Sequence, residues 1–160
     1  MKTLIIYNSI HHKNTEKIAR AIGKVLKAKI SKPDKVDIPS LKKYDLLGFG
    51  SGIYFSIHHE SLFQLIDKLP KVKNKKAFIF TSSGSWQIKY LNDFNAPLVQ
   101  KLENKGYDII GTFCCRGYDT VGPLKHIGGL NKGRPNKEDI RKAENFAENI
   151  KMVMKALLIG

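Results

Sequence analysis

The sequence predicts an α/β domain built on a five-stranded parallel sheet, and three observations carry that expectation. Residues 4–7, 46–50, 77–81 and 108–115 are short, nearly uninterrupted runs of strand-forming residues. Such runs belong to strands buried on both faces, as parallel sheets covered by helices are. Between them apolar residues recur at helical spacing. The length of 160 residues, with 42% hydrophobic and 26% charged residues, suits one globular domain spanning 1–160 and excludes a disordered, collagen-like or coiled-coil chain.

Taken in order, residues 4–7 (LIIY) form the first strand. Asn14, Thr15 and Glu16 open a helix that places Ile18, Ile22, Val25 and Leu26 on one face. Residues 36–38 are expected as a short second strand ended by Pro39, and residues 46–50 (LLGFG) as the third. Leu62, Leu65, Ile66 and Leu69 repeat at helical spacing and stop at Pro70. Residues 77–81 (AFIFT) make the fourth strand, followed by an SSGS turn. Leu91, Phe94, Leu98 and Leu102 mark a helix ending near Gly106, and residues 108–115 (DIIGTFCC) the fifth strand. A loop from Arg116 to Pro135 then leads to a last helix. Asn136 caps it, and Glu138 and Asp139 lie in its first turn, where unpaired N–H groups favour acceptors and negative charge.

No apolar run approaches the roughly 18 residues of a membrane span, and the N-terminal stretch does not read as a secretory leader. The expectation is a cytoplasmic protein with no membrane span. Cys114 and Cys115 are adjacent, point to opposite faces of an extended strand and cannot staple a domain.

In an open parallel sheet, ligands bind beyond the carboxyl ends of the strands where the winding reverses. Polar, small and aromatic residues concentrate there: Asn8 to Thr15 after the first strand, Ser51 to Phe55 after the third, Ser82 to Trp86 after the fourth, and Arg116 to Thr120 after the fifth. Hydroxyls and amides leading into a helix N-terminus suit a phosphate dianion. Aromatic walls on neighbouring loops suit a planar ring.

The segment YNSIHHKNTEKIA resembles the flavodoxin phosphate loop. GSGIYF, TSSGSW and the stretch from Gly117 to Ala147 also resemble short flavodoxin-like proteins of bacteria and archaea. The resemblance implies a three-layer, doubly wound sheet of order 2-1-3-4-5 with FMN as cofactor. It implies that Ser9, Ile10, His11, His12, Lys13, Asn14 and Thr15 hold the phosphate. Ser51, Gly52, Ile53, Tyr54 and Phe55, with Ser82, Ser83, Gly84, Ser85 and Trp86, would clasp the isoalloxazine, Tyr54 or Trp86 lying against a ring face. Gly117 and Tyr118 complete the set. Lys13 stands where the family has glycine, and His11 and His12 stand where small hydroxylated residues are usual, so Lys13 or a protonated histidine could neutralise the phosphate directly.

The role implied is electron transfer between redox partners, a reductase or ferredoxin-like protein. An alternative is a flavin-dependent dehydrogenase similar to the protoporphyrinogen oxidase group, with residues 116–135 shaping a substrate pocket; a flavin-free binding module is a third. No nucleophile or general acid is assigned.

The His11–His12 and His58–His59 pairs both approach the same crevice, as metal ligands, phosphate or substrate contacts, or solvent-facing side chains. Lys and Arg number 28 against 14 Asp and Glu, a net charge of +14. That charge predicts a less negative hydroquinone couple than in acidic relatives and a partner that is acidic. Lys24, Lys27, Lys29, Lys32 and Lys35, and Lys68, Lys71, Lys73, Lys75 and Lys76, read as a solvated basic end opposite the site. They lack the interleaved aromatics of a specific nucleic-acid binder. Lys125, Lys132, Arg134 and Lys137 flank the last loop and are expected to steer the partner.

Overall fold

In a computed structural model of the chain, residues 1–10, 12–54, 57–84, 93–118 and 130–159 are described. The elements are β1 (Thr3–Tyr7), α1 (Asn14–Leu26), β2 (Lys29–Ser31), β3 (Leu46–Tyr54), β4 (Ile57–His58), α2 (Glu60–Lys68), β5 (Lys75–Ser83), α3 (Ala96–Glu103), β6 (Tyr107–Arg116) and α4 (Lys137–Ile159). Strands β2-β1-β3-β5-β6 lie side by side, all pairs parallel, and β4 folds back antiparallel on β3. Counting parallel strands only, this is the expected order 2-1-3-4-5.

The apolar runs are buried on both faces because successive side chains alternate. Leu4, Ile6, Leu47, Phe49, Ala77 and Ile79 pack under α2 and α3. Ile5, Tyr7, Leu46, Phe78 and Phe80 pack under α1 and α4. The LLGFG motif has a steric reason. Gly48 and Gly50 pair in register with Phe78 and Phe80. A Cβ at either glycine would sit 2.3 or 2.2 Å from the neighbouring ring, so the two phenyl rings occupy the space the glycines leave. Each fully buried phenylalanine contributes roughly 1.5–3 kcal/mol.

The second strand is Lys29–Ser31, not residues 36–38. Lys27 adopts a left-handed backbone that ends α1 and accepts the chain reversal, so the chain enters β2 two residues later, pairing Leu4 with Lys29 and Ile6 with Ser31. The edge strand is too short and polar to show a run; Ile30 is 38% exposed. Val36 and Ile38 pack on the core from 3-10 turns at Pro33–Lys35 and Ile38–Lys43, each with proline in its first turn. One consequence corrects the lysine reading: Lys32 and Lys35 follow the carboxyl end of β2, on the site's side of the sheet. The Lys32 ammonium lies 3.9 Å from the centroid of the Tyr7 ring.

Helix α3 begins at Ala96, later than the expected periodicity, with Pro97 in its first turn; Leu91 lies outside the described residues. Strand β3 runs four residues beyond its apolar run and turns into β4. Ser82 and Ser83 belong to β5 rather than to a turn. Asn136 caps α4 reciprocally. Its Oδ1 accepts from the Asp139 N–H at 3.0 Å, and Asp139 Oδ2 accepts from the Asn136 N–H at 2.9 Å. No helix among the described residues is long and apolar enough to cross a membrane.

Candidate functional site

The winding reverses between β1 and β3, so the crevice beyond their carboxyl ends receives the loops after β1, β3, β5 and β6. The backbone dictates what the first loop offers. His12 and Lys13 both adopt left-handed φ, 52° and 53°, and Lys13 is the N-cap of α1 with no side-chain cap bond. Lys13 therefore takes the conformation that glycine favours, at a cost of about 1–2 kcal/mol. The first intrahelical bond runs from the Lys17 N–H to the Lys13 carbonyl, so the N–H groups of Asn14, Thr15 and Glu16 have no intrahelical acceptor. Glu16, the acid in that turn, is paired with Arg20 at 2.8 Å. That hydrogen bond holds its carboxyl below the ordinary carboxylate range. The helix start keeps its positive character.

Two buried atoms here lack a hydrogen-bond partner among the described residues, Ser9 Oγ and Asn14 Oδ1. Such atoms are costly unless something satisfies them. A serine hydroxyl can donate to a phosphate oxygen, and an amide oxygen can accept from a hydroxyl. The pair, with the uncapped helix start, fits a phosphorylated, hydroxyl-bearing ligand.

The other loops are fastened to this one. Asn14 Nδ2 donates to the Tyr118 carbonyl at 2.7 Å. A Cβ at Gly117 would come within 2.7 Å of that same nitrogen, so only glycine admits the contact. The His12 and Tyr118 rings lie 4.3 Å apart. Thr15 Oγ1 and Ser82 Oγ, both buried, share a 2.8 Å hydrogen bond. One of their two hydroxyl protons makes that bond, and the other remains free to donate elsewhere. Asn131 Nδ2 donates to the Gly84 carbonyl at 2.8 Å and contacts the Gly117 carbonyl at 3.4 Å, holding the ends of β5 and β6 together.

The β3–β4 hairpin is fixed by a polar chain. Ser51 Oγ lies 2.9 Å from His58 Nδ1, and His58 Nε2 lies 3.0 Å from Asn95 Oδ1, all three residues buried. Ser51 Oγ also accepts from the His59 N–H at 3.0 Å and lies 2.7 Å from the Gly52 carbonyl oxygen. Burial pushes the His58 imidazolium pKa down to about 4, against the raising influence of Asn95 and Asp93, so the ring is neutral at physiological pH.

His58 thus turns inward with both ring nitrogens engaged. His59 Nδ1 accepts from the Ser61 N–H at 3.1 Å, capping α2. The two rings of the second histidine pair therefore part: His58 is a buried strut, whereas half-buried His59 caps α2 beside Ser61, whose Oγ accepts from Asn8 Nδ2 at 2.9 Å. Arg134 departs from its expected role as well. Its Nη1 is bound to buried Asp139 at 2.7 Å, which commits it to the start of α4, whereas Lys132 and Lys137 are exposed.

Ser9, Ile10, His12, Lys13, Asn14, Thr15, Ser51, Gly52, Ile53, Ser82, Ser83, Gly84, Gly117 and Tyr118 all lie at this edge. His11, Phe55, Ser85, Trp86 and Lys125, and the side chain of Tyr54, lie outside the described residues. Sequence reasoning missed Asn95 and Asn131. An isolated asparagine in a loop gives no signal, although Asn95 stands just before a helix start, a position asparagine favours.

The sheet order and the flanking helices define a doubly wound, flavodoxin-like α/β domain. The chain belongs to the flavodoxin domain family, which it matches over residues 4–108. It is 53% identical to the uncharacterized protein MJ0298 of Methanocaldococcus jannaschii, covering 94% of this chain and 98% of that protein. It is 26% identical to the flavodoxin-like domain-containing protein BilS of Clostridioides difficile, over 92% of this chain and 84% of that one. Among solved structures, a flavodoxin from the domain Archaea superposes with a TM-score of 0.72 at 16% identity, covering 97% of this chain and 99% of that chain.

Proposed function

We propose that the protein binds FMN at the carboxyl edge of its sheet and carries electrons between redox partners. The observation that carries this reading is the loop before α1. Its uncapped N–H groups, the left-handed Lys13 and the unpartnered Ser9 hydroxyl offer donors and positive charge to a phosphate. In this reading Ser9, Lys13 and the backbone of residues 14–16 hold the phosphate, while Asn14 Oδ1 accepts from a ribityl hydroxyl. The segments at residues 51–54, 82–84 and 117–118 meet the ring. The flavin supplies the one- and two-electron chemistry, and the protein tunes it by hydrogen bonds and nearby charge.

The partner in this reading is acidic. Ile10, Leu130 and, in β4, Ile57 are exposed apolar residues at this edge, and Lys13, Lys132 and Lys137 are exposed cations. Association with an acidic redox protein should slow steeply as salt is raised. The net charge of +14 favours a hydroquinone couple less negative than in acidic flavodoxins, which a redox titration checks.

The test is the visible spectrum of protein purified from its host, with the released cofactor identified. Flavin absorbance and release of FMN support the proposal; a colourless protein that takes up no added FMN refutes it. Ser9→Ala is the cleaner site variant, because Asn14→Ala would also cut the bond to Tyr118.

A further inference from the structure

Lys75 and Tyr107, the first residues of β5 and β6, line a cleft of about 620 Å³ at the amino end of the sheet. Strand β5 is 9 residues long, so roughly 25 Å of strand separates this cleft from the carboxyl edge. Its origin lies in the crossover from β2 to β3. Two 3-10 turns, Pro33–Lys35 and Ile38–Lys43, cover that face of the sheet where a doubly wound domain would place a helix. The second turn contributes Ile38, Pro39 and Leu41 to the cleft, and the segment between α2 and β5 contributes Pro70 and Val72. A concave, aliphatic site of this volume falls within the roughly 300–1,000 Å³ of small-molecule pockets.

The polar groups of the cleft all point to one sign of ligand. Every charged side chain lining it among the described residues is a lysine: Lys42, Lys68 and Lys75. Lys75 is committed, its Nζ donating to the Tyr44 carbonyl. Lys42 and Lys68 are exposed and enter no ion pair among the described residues; Asp67, next to Lys68 in the chain, is bound to Lys101 instead. Tyr107 is 5% exposed, its ring edge-on to Phe49. Burial pushes its phenol pKa up, and its hydroxyl has no hydrogen-bond partner among the described residues, so it remains a donor in want of an acceptor. The adjoining cleft of about 230 Å³ shares Ile38 and Lys68 but also takes in Asp34, so the single sign of charge is particular to the larger one.

We propose that this cleft is a second binding site, for a small amphipathic carboxylate. Its aliphatic chain lies against Ile38, Leu41, Pro70 and Val72, and the donors for its carboxylate are the Lys42 and Lys68 ammonium groups and the Tyr107 hydroxyl. Burial of the chain supplies affinity, and the lysines supply the preference for an anionic head. The site lies at the far end of the sheet from the phosphate loop and does not rest on the FMN reading.

The probe is decanoate, titrated into the full-length protein below micelle-forming concentrations and followed by ¹H–¹⁵N correlation spectra. Decanol and decyltrimethylammonium serve as the neutral and cationic chains. The expected result is saturable shifts at the amides of Leu41, Val72 and Tyr107, with those of residues 14–16 unmoved. Decanoate should bind at least about tenfold tighter than either control, the size of one charge-assisted hydrogen bond. Changing both Lys42→Glu and Lys68→Glu should weaken decanoate about tenfold and leave decanol binding as it was. No saturable shift at the cleft, or shifts confined to residues 14–16, overturns the site. Equal binding of the cationic chain overturns the anionic head, and association with anionic lipid vesicles without decanoate binding overturns the small ligand. The comparison of the three chains on the wild-type protein stands even where the double variant fails to fold.

Discussion

One step along the sheet changes the chemistry of burial completely. At Gly50 and Phe80 the strands meet through a ring lying over a missing side chain, with nothing polar between them. One and two residues further on, Ser51 and Ser82 are as deeply buried, yet each makes a hydrogen bond across to another element, Ser51 to His58 and Ser82 to Thr15. The interior is held by shape and the rim by donor-acceptor matching. A rim built this way is specific in direction, and the atoms it leaves unmatched among the described residues, at Ser9 and Asn14, suit a polar ligand.

That contrast can be broken from either side. The largest effect belongs to the apolar side: Phe80→Ala should cost about 3–5 kcal/mol in chemical denaturation, because the glycines opposite cannot fill the void. Next comes the pH response of the rim. His58 titrates near 4 when folded and near 6.5 when unfolded, so below pH 6.5 the unfolded chain binds the extra proton. Its neutral form is accommodated at no such cost above pH 6.5, and stability falls as pH drops from 6.5 to 4. The loss approaches about 3 kcal/mol. Comparing His58→Gln with wild type across that range isolates it; parallel curves would show that the ring charges without penalty. Among the described residues Asp93 acts on the ring, and its charge opposes the depression without cancelling it.

Smaller again, Ser82→Ala leaves Thr15 Oγ1 buried without its partner and should cost about 1–3 kcal/mol, while leaving the phosphate loop's backbone in place. The smallest effect is a gain. Lys13→Gly should raise apoprotein stability by about 1 kcal/mol by relieving the left-handed backbone, yet weaken FMN binding by removing an ammonium from the loop. Stability and affinity moving the same way would mean that Lys13 does not face the phosphate.

The contrast also explains what could be read beforehand. Runs such as residues 46–50 and 77–81 announced their strands because burial on both faces leaves only apolar residues. The loop before α1 announced itself by composition. Strand β2 did not, since an edge strand of three residues, Lys29, Ile30 and Ser31, carries no run. The partners of the rim were hidden for a different reason. His58 and Asn95 are 37 residues apart in the chain, and Asn14 and Tyr118 are 104 apart. Periodicity speaks only of neighbours within an element, so a histidine pair in a loop looks the same whether it faces solvent or locks a hairpin.

The grip on phosphate is tested most directly by titrating the apoprotein with FMN and with riboflavin under the same conditions, following flavin fluorescence. The two ligands share the ring and the ribityl chain, so only the phosphate separates them. The account predicts that FMN binds at least about a hundredfold tighter, two or more charge-assisted hydrogen bonds' worth. Equal affinities would contradict it.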